Sequence, residues 1–240
     1  MNGYLIIDKP SGISSAQCVY QMRKILDQKK VGHCGTLDPL ATGILPLCIG
    51  EATKFSGYIS NQSKRYQVKI LFGRETDTGD ITGKEITNEK PNFSSIKLKN
   101  VLNSFIGDYS QLPPMYSALK LNGKPLYYWA RKGVFLKRLP RKVSINNIEL
   151  NFFDNFNKAI IQVSCSKGTY IRSLVESIGK KLKTCATVLE LRRIGLGFLE
   201  EKHLIEMKTK EQKYFFNQIS GCDYLLKNYP KFILNKSDSK

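Results

Sequence analysis

The chain has 240 residues, of which 41% are hydrophobic, and this length is enough to bury a large core. No apolar run approaches the roughly 20 residues that a membrane-spanning helix needs, so the composition excludes a membrane-spanning chain. The 38 Lys and Arg against 20 Asp and Glu give a net charge of +18, which attracts polyanions. The basic residues are scattered in pairs rather than gathered on one helix, which favours nucleic acid over a membrane surface as the partner.

Strand and helix patterns mix along the chain without a regular alternation. The predicted elements are, in chain order, a strand over 4–7, a helix over 16–26 capped by Ser14 or Ser15, strands over 44–49 and 65–72, helices over 94–105 and 126–132, strands over 143–150 and 159–165, a helix capped by Thr169, and a strand over 187–193 with Leu189, Leu191 and Arg193 on one face. This order predicts an α+β fold with a mixed, mainly antiparallel sheet and flanking helices.

The sequence offers little for a metal or a nucleotide cofactor. Six cysteines are too sparse for a disulfide framework and include no C-x-x-C pair, and His33 and His203 are the only histidines. No glycine-rich phosphate-binding motif occurs. The acidic segment 75–80 lacks the spacing of a calcium loop, so we expect a polar surface turn there. Residues 1–7 have no charged leader and only a four-residue apolar run, so we expect no secretory signal, reduced thiols and a cytoplasmic protein.

The Gly-rich segment 32–43 predicts a loop in which three glycines and Pro39 surround Asp38, as in loops that approach a ligand closely. For an isolated Asp-Pro pair, a carboxylate that caps a turn is the commoner explanation. His33 and Cys34 point to opposite faces if the chain is extended, which argues against a Cys nucleophile. His33 is either a packed loop residue or a contact to a nucleobase.

Residues 32–43 (GHCGTLDPLATG) resemble the catalytic motif of the bacterial TruB family, the tRNA pseudouridine-55 synthases. Four other stretches match in the family's order over about residues 3–200, and ordered multiple motifs are more specific than a single one. They are 5–12, similar to the opening Asp-Lys-Pro motif; 64–66, similar to the tyrosine motif; 111–131, similar to the RNA-gripping insertion; and 167–174 with 191–193, similar to the last two core motifs.

The resemblance implies roles for six residues. Asp38 matches the catalytic nucleophile, Tyr66 the aromatic that stacks on the target uracil, and Arg172 the guanidinium that pairs with the nucleophile. Three further positions match residues that contact the flipped-out nucleotide: His33, Tyr170 and Leu191. Without the resemblance, Tyr66 reads as a core strand aromatic and Arg172 as an exposed helix charge, since these are the usual environments of such residues.

The resemblance also implies a domain organisation and a substrate. We expect a catalytic domain over 1–200, with the insertion at about 111–142, and a short extension over 201–240 that is too small for the PUA domain of many family members. The last residues, 235–240, are expected to fray. The implied reaction converts uridine to pseudouridine at position 55 in the T stem-loop of tRNA. It gains and loses no atoms, so no cofactor is required, and we expect a monomer with no membrane contact and no obligate protein partner.

Two other functions compete with this hypothesis. The chain could be a tRNA-binding or tRNA-folding module in which catalysis is dispensable, which the charge and the same insertion would also explain. A different RNA-modifying enzyme, such as a methyltransferase, lacks a cofactor loop in this sequence. Within the first hypothesis, the sequence does not choose between attack of Asp38 on C1′ and abstraction of a sugar proton.

Overall fold

The computed structural model describes residues 1–121, 123–209, 211–226 and 229–230. The predicted fraying of 235–240 lies outside these residues. The strands are β1 Gly3–Lys9, β2 Val31–His33, β3 Thr42–Ile49, β4 Lys64–Phe72, β5 Arg74–Thr76, β6 Glu85–Asn88, β7 Gly107–Gln111, β8 Lys120–Leu121, β9 Lys124–Pro125, β10 Arg141–Phe153, β11 Lys158–Cys165, β12 Ala186–Leu196, β13 Leu199–Glu200 and β14 Ile205–Glu206. The helices are α1 Ser15–Leu26, α2 Ser56–Ser60, α3 Ser95–Asn103, α4 Leu126–Ala130, α5 Ile171–Leu182 and α6 Gln212–Phe216.

Ten of these strands form one sheet in the order β14-β1-β3-β12-β4-β11-β10-β7, with β2 beside β3 and β13 beside β12. The pairs β1–β14 and β3–β12 are parallel, and the other pairs in this sheet are antiparallel. Helix α5 lies against β12, and α3 packs on α5 and β10. The predicted α+β fold with a mixed, mainly antiparallel sheet is therefore confirmed.

The strand β1 is buried on both of its faces. Leu5 and Ile7 join the main core, whereas Tyr4 and Ile6 belong to a second cluster that includes Leu225. Successive strand residues point to opposite faces, so an uninterrupted apolar run requires cover on both sides. The segment after residue 200 supplies part of that cover, because β14 pairs with β1 and Phe215 is fully buried in the main core.

The two predicted helix caps have different outcomes. Ser14 caps α1 through a capping box, in which its side chain accepts from the N–H of Gln17 and the Gln17 side chain accepts in return. Thr169 does not cap α5, because the residue at the cap position is Tyr170. The hydroxyl of Thr169 lies one residue too early and donates to the carbonyl of Ser166 at 3.0 Å.

Two further predictions need correction. The segment 32–43 is not wholly a loop, since its ends belong to β2 and β3. Leu189 does not share a face with Leu191 and Arg193, because a bulge between Val188 and Glu190 shifts the register of β12 against β4. None of the helices in the described residues is both long and apolar enough to cross a membrane.

Candidate active site

Asp38 lies in the loop between β2 and β3, and its side chain is 33% exposed. The loop is anchored to the start of α1, where the Ser15 hydroxyl donates to the carbonyl of Leu37 at 3.1 Å and accepts from its N–H at 2.9 Å. On the other side, the N–H of Gly12 donates to the carbonyl of Pro39 at 2.9 Å. The loop backbone is therefore fixed on both sides of Asp38 while the carboxylate reaches solvent.

Arg172 holds the Asp38 carboxylate in a two-pronged ion pair. Its Nε donates to Oδ2 and its Nη2 to Oδ1, each at 2.8 Å. The same guanidinium donates to the carbonyls of Thr78 at 2.7 Å and Tyr116 at 2.8 Å. Arg172 is 4% exposed, so it is not the exposed helix charge that its sequence position alone suggests. A planar fork bonded to four acceptors has one orientation, and the carboxylate takes its orientation from it.

Tyr66 and Tyr170 lie within electrostatic reach of the Asp38 carboxylate. Tyr66 is 7% exposed on β4, and burial raises the pKa of its hydroxyl. Tyr170 immediately precedes α5, and burial raises the pKa of its hydroxyl as well. Both phenols therefore stay neutral to a higher pH than an ordinary tyrosine.

His33 and Leu191 complete the set of predicted site residues. His33 ends β2, and burial lowers the pKa of its imidazole, with the nearby Arg193 guanidinium acting in the same direction. None of the described residues offers a hydrogen-bond partner to its buried Nδ1. Leu191 lines a groove of about 240 Å³ together with Leu40, which is two residues beyond Asp38.

Three buried polar residues that the sequence reasoning did not assign to the site support it. Lys9 is fully buried and donates to the carbonyls of Pro10, Pro39 and Ala41, the last at 2.6 Å, and burial lowers its pKa to about 8. Arg193 is also fully buried, and its charge lowers the pKa of the Tyr66 hydroxyl against the larger upward effect of burial. The alternation of the last predicted strand placed Arg193 on the same face as Leu191, and a charge on an otherwise apolar face was the available signal. The third residue, Gln111, contacts Tyr170.

The acidic segment 75–80 contains the predicted polar turn, but Asp77 is its only exposed residue. Thr76 and Asp80 are buried, and one carboxylate oxygen of Asp80 accepts from the hydroxyls of Thr78 and Thr82. The carbonyl of Thr78 is one of the acceptors of Arg172, so this turn forms one wall of the ion-pair site. Within the described ranges, no group of three or more His, Cys, Asp or Glu side chains could hold a metal ion.

Comparison with known proteins finds similarity to one family along most of the chain. Residues 23–171 match the model of the TruB family pseudouridylate synthase (N terminal domain). The tRNA pseudouridine synthase B of Neisseria gonorrhoeae (strain NCCP11945) is 40% identical over 238 residues, which are 98% of this chain and 78% of that protein. The tRNA pseudouridine synthase B of Bordetella avium (strain 197N) is 47% identical over 200 residues, 82% of each chain.

A solved structure has the same fold. A chain in the crystal structure of a Cbf5-Nop10-Gar1 complex matches with a TM-score of 0.73 and 28% identity, covering 93% of this chain. This chain spans 61% of that one, or about three fifths of its length. The family model covers more than half of this chain, and the relatives match along most of it. The chain therefore belongs to the TruB family of pseudouridylate synthases.

Proposed function

We propose that the protein converts the uridine at position 55, in the T stem-loop of tRNA, to pseudouridine, with Asp38 as the residue that acts on the ribose. The relatives named tRNA pseudouridine synthase B support tRNA as the substrate. The observation that carries the proposal is the Asp38–Arg172 ion pair, because it presents one oriented, partly exposed carboxylate. Leu40, two residues after Asp38, lines a groove together with Leu191.

The reaction needs one carboxylate rather than the two of a glycosidase. The N1–C1′ bond breaks, the uracil turns, C5 joins C1′, and the proton lost from C5 is balanced by one gained at N1. A glycosidase uses a second carboxyl group to activate water, whereas this isomerisation must exclude water until the base has recombined. Arg172 supplies the counter-charge for Asp38, which then either attacks C1′ or removes a proton from the sugar.

The target nucleotide must leave its stack before Asp38 can reach the ribose, at a cost of a few kcal/mol. In the proposal, Tyr66 stacks on the flipped uracil, and Leu191 forms an apolar wall that keeps water out. His33 and Tyr170 contact the same nucleotide. A neutral His33 with a buried, unpaired Nδ1 is suited to a hydrogen bond with the substrate.

Asp38→Asn tests the proposal directly. The amide keeps the size of the side chain and removes its charge, so we expect pseudouridine formation in a tRNA transcript to fall by about a thousandfold or more, with tRNA affinity largely retained. Asp108→Asn, the same change at an exposed position on β7, is the matched control and is expected to turn over normally. Undiminished turnover by Asp38→Asn would falsify the assignment.

The net charge of +18 also suits a tRNA-folding role that needs no chemistry. Cells in which Asp38→Asn replaces the wild-type protein separate the two functions. If catalysis is the function, these cells grow as poorly under competition as cells lacking the protein. Growth equal to wild type, with no pseudouridine formed, would instead support the folding module.

The proposal extends to the T stem-loop, the oligomeric state and the domain division. We expect an isolated T stem-loop to be a substrate, and a tRNA with cytidine at position 55 to remain unmodified. We expect a monomer, and light scattering during size-exclusion chromatography tests this. The division into a catalytic domain over 1–200 with an insertion at 111–142, followed by an extension, stays a prediction.

A further inference from the structure

Gln111 is the last residue of β7, and its side chain is buried at 2% exposure. Its Oε1 accepts from the backbone N–H of Tyr170 at 2.8 Å, and its Nε2 donates to the carbonyl of the same residue at 3.0 Å. Nε2 also donates to the hydroxyl of Tyr109. The carboxamide thus clamps both backbone polar groups of one residue, and both of its N–H groups are used.

This clamp sits where α5 lacks a cap of its own. Tyr170 occupies the cap position of α5, and its side chain makes no capping hydrogen bond to the helix. Arg172 follows two residues later, so the direction in which its side chain leaves the helix depends on how Tyr170 is held. Both prongs of the bond to Asp38 are 2.8 Å long, a geometry that a small rotation of the helix start would break.

The start of the predicted insertion also contacts the guanidinium of Arg172 directly. Gln111 pairs with Arg141 at the base of the predicted insertion, where β7 and β10 meet. Five residues after Gln111, the carbonyl of Tyr116 accepts from Nη2 of Arg172. The start of the insertion therefore holds both the backbone before Arg172 and the side chain of Arg172.

We infer that Gln111 is a positioning residue for the isomerisation, acting through Tyr170 to aim Arg172 at Asp38. This inference rests on the proposed role of the Asp38–Arg172 pair. It assigns Gln111 no contact with the substrate, so its loss should lower kcat by a larger factor than it raises the KM for tRNA.

Only a carboxamide of this length makes all three bonds. Glu has the same shape but, when ionised, offers no donor to the carbonyl of Tyr170 and faces it with a negative charge. A protonated Glu restores one donor, and burial raises the pKa of a carboxyl group toward neutrality. Leu fills the space and makes none of the bonds, at every pH.

The experiment compares Gln111→Glu, Gln111→Leu and the matched control Gln21→Glu, an exposed position on α1. Single-turnover and steady-state rates on a tRNA transcript are measured from about pH 6 to pH 8, together with Tm. We expect both Gln111 variants to lose about tenfold or more in kcat at pH 8. The ratio of Gln111→Glu to wild type should rise as the pH falls, while the ratio for Gln111→Leu stays flat.

The pH profile separates positioning from general destabilisation, since a merely structural defect would lower Tm without a recovery specific to Glu. If Gln111→Leu does not fold, the recovery of Gln111→Glu at low pH still decides the matter. Equal kcat for Gln111→Glu and Gln21→Glu across the range, or a loss confined to KM, would overturn the inference. Failure of wild type and Gln21→Glu to form any pseudouridine would instead refute the proposed function.

Discussion

Two buried cations hold the backbone of the Asp38 loop. Arg193 donates from Nε to the carbonyl of Ile44 at 2.7 Å and from Nη2 to the carbonyl of Gly35 at 3.2 Å, so it joins the two ends of the loop. Among the described residues, no ion pair includes Arg193. Burying a guanidinium without a carboxylate is costly, and here the carbonyl dipoles and the Tyr66 hydroxyl offset that cost.

Arg193→Lys is expected to destabilise the protein although it keeps the charge. An ammonium group lacks the fork that reaches both carbonyls, so one buried acceptor is left without a donor, which costs about 1–3 kcal/mol. Urea unfolding measures the difference, with Arg131→Lys at an exposed position as the control. Equal free energies of unfolding for wild type and Arg193→Lys would contradict this account.

Lys9 gives the stability of the protein a pH dependence with a defined sign. Burial lowers its pKa to about 8, whereas an unfolded lysine titrates near 10.4. Between these values the unfolded chain binds a proton that the folded chain has released, so the free energy of unfolding rises with pH in that window. Below about pH 8 both states are protonated and the contribution is constant.

The comparison of wild type with Lys9→Met isolates this effect. Met cannot titrate, so we expect the free energy of unfolding of wild type minus that of the variant to grow between about pH 7.5 and 9.5, by on the order of 1–2 kcal/mol. Chemical denaturation at several pH values measures it. A difference that stays constant or falls with pH would show that Lys9 does not release its proton in the folded state.

At the scale of elements, the Asp38 loop meets β12 at a point that tolerates only glycine. Gly43 has φ +98°, and a Cβ there would lie 2.3 Å from the carbonyl oxygen of Arg193. Gly12 has a similar φ of +87°, but a Cβ there would meet nothing within 4 Å. The two positions therefore share a backbone conformation that strains any other residue, and they differ in the close approach of a neighbouring strand.

Gly12→Ala should cost about 1–2 kcal/mol, the strain of a positive φ, and Gly43→Ala about 3 kcal/mol or more because the backbone of Arg193 must also move. Thermal and urea unfolding of both variants test the difference. Since the displaced backbone also carries Arg193, Gly43→Ala is expected to lose turnover as well. Similar stabilities of the two variants would contradict the close approach.

The sequence pattern predicted elements whose burial is periodic. The alternation over 65–72 and the helical spacing over 16–26 correspond to β4 and α1 within one residue at each end. The bulge at Leu189 could not be read from the pattern, because it depends on the register of β12 against β4. The cap of α5 was misassigned because the group that binds the N–H of Tyr170 lies 59 residues away in Gln111.

The site residues also differ in whether a local pattern or a distant partner determines their environment. Asp38 was identified from a local motif, and the resemblance supplied Tyr66, Arg172 and the three nucleotide contacts. The burial of Arg172 follows from partners 134, 94 and 56 residues away, which no local pattern contains. The supporting roles of Lys9, Arg193 and Gln111 were missed for the same reason, because their acceptors are backbone carbonyls of distant segments.

At the scale of the whole molecule, the lysines and arginines that give the net charge of +18 are distributed along the whole sequence. Lys120 and Lys124 are exposed on the hairpin β8–β9 of the predicted insertion, which contacts Arg172 through Tyr116. Lys97 and Lys99 are instead exposed on α3, and Lys99 borders a groove with residues 148–151 of β10. Those residues lie at least seven positions along β10 from Arg141, which places them roughly 20 Å or more from the base of the insertion.

The affinity for tRNA should therefore fall steeply with salt, and only some lysines should set the slope. Each phosphate neutralised releases counterions, so we expect the Kd to rise about a hundredfold or more between roughly 50 and 200 mM KCl. Replacing Lys120 and Lys124 by Gln should reduce the slope of log Kd against log salt by about one to two, while replacing Lys97 and Lys99 by Gln should leave it unchanged. Filter binding with wild type and both double variants measures the three slopes. A flat salt dependence of wild type, or equal losses in the two double variants, would mean that the insertion does not lie on the RNA.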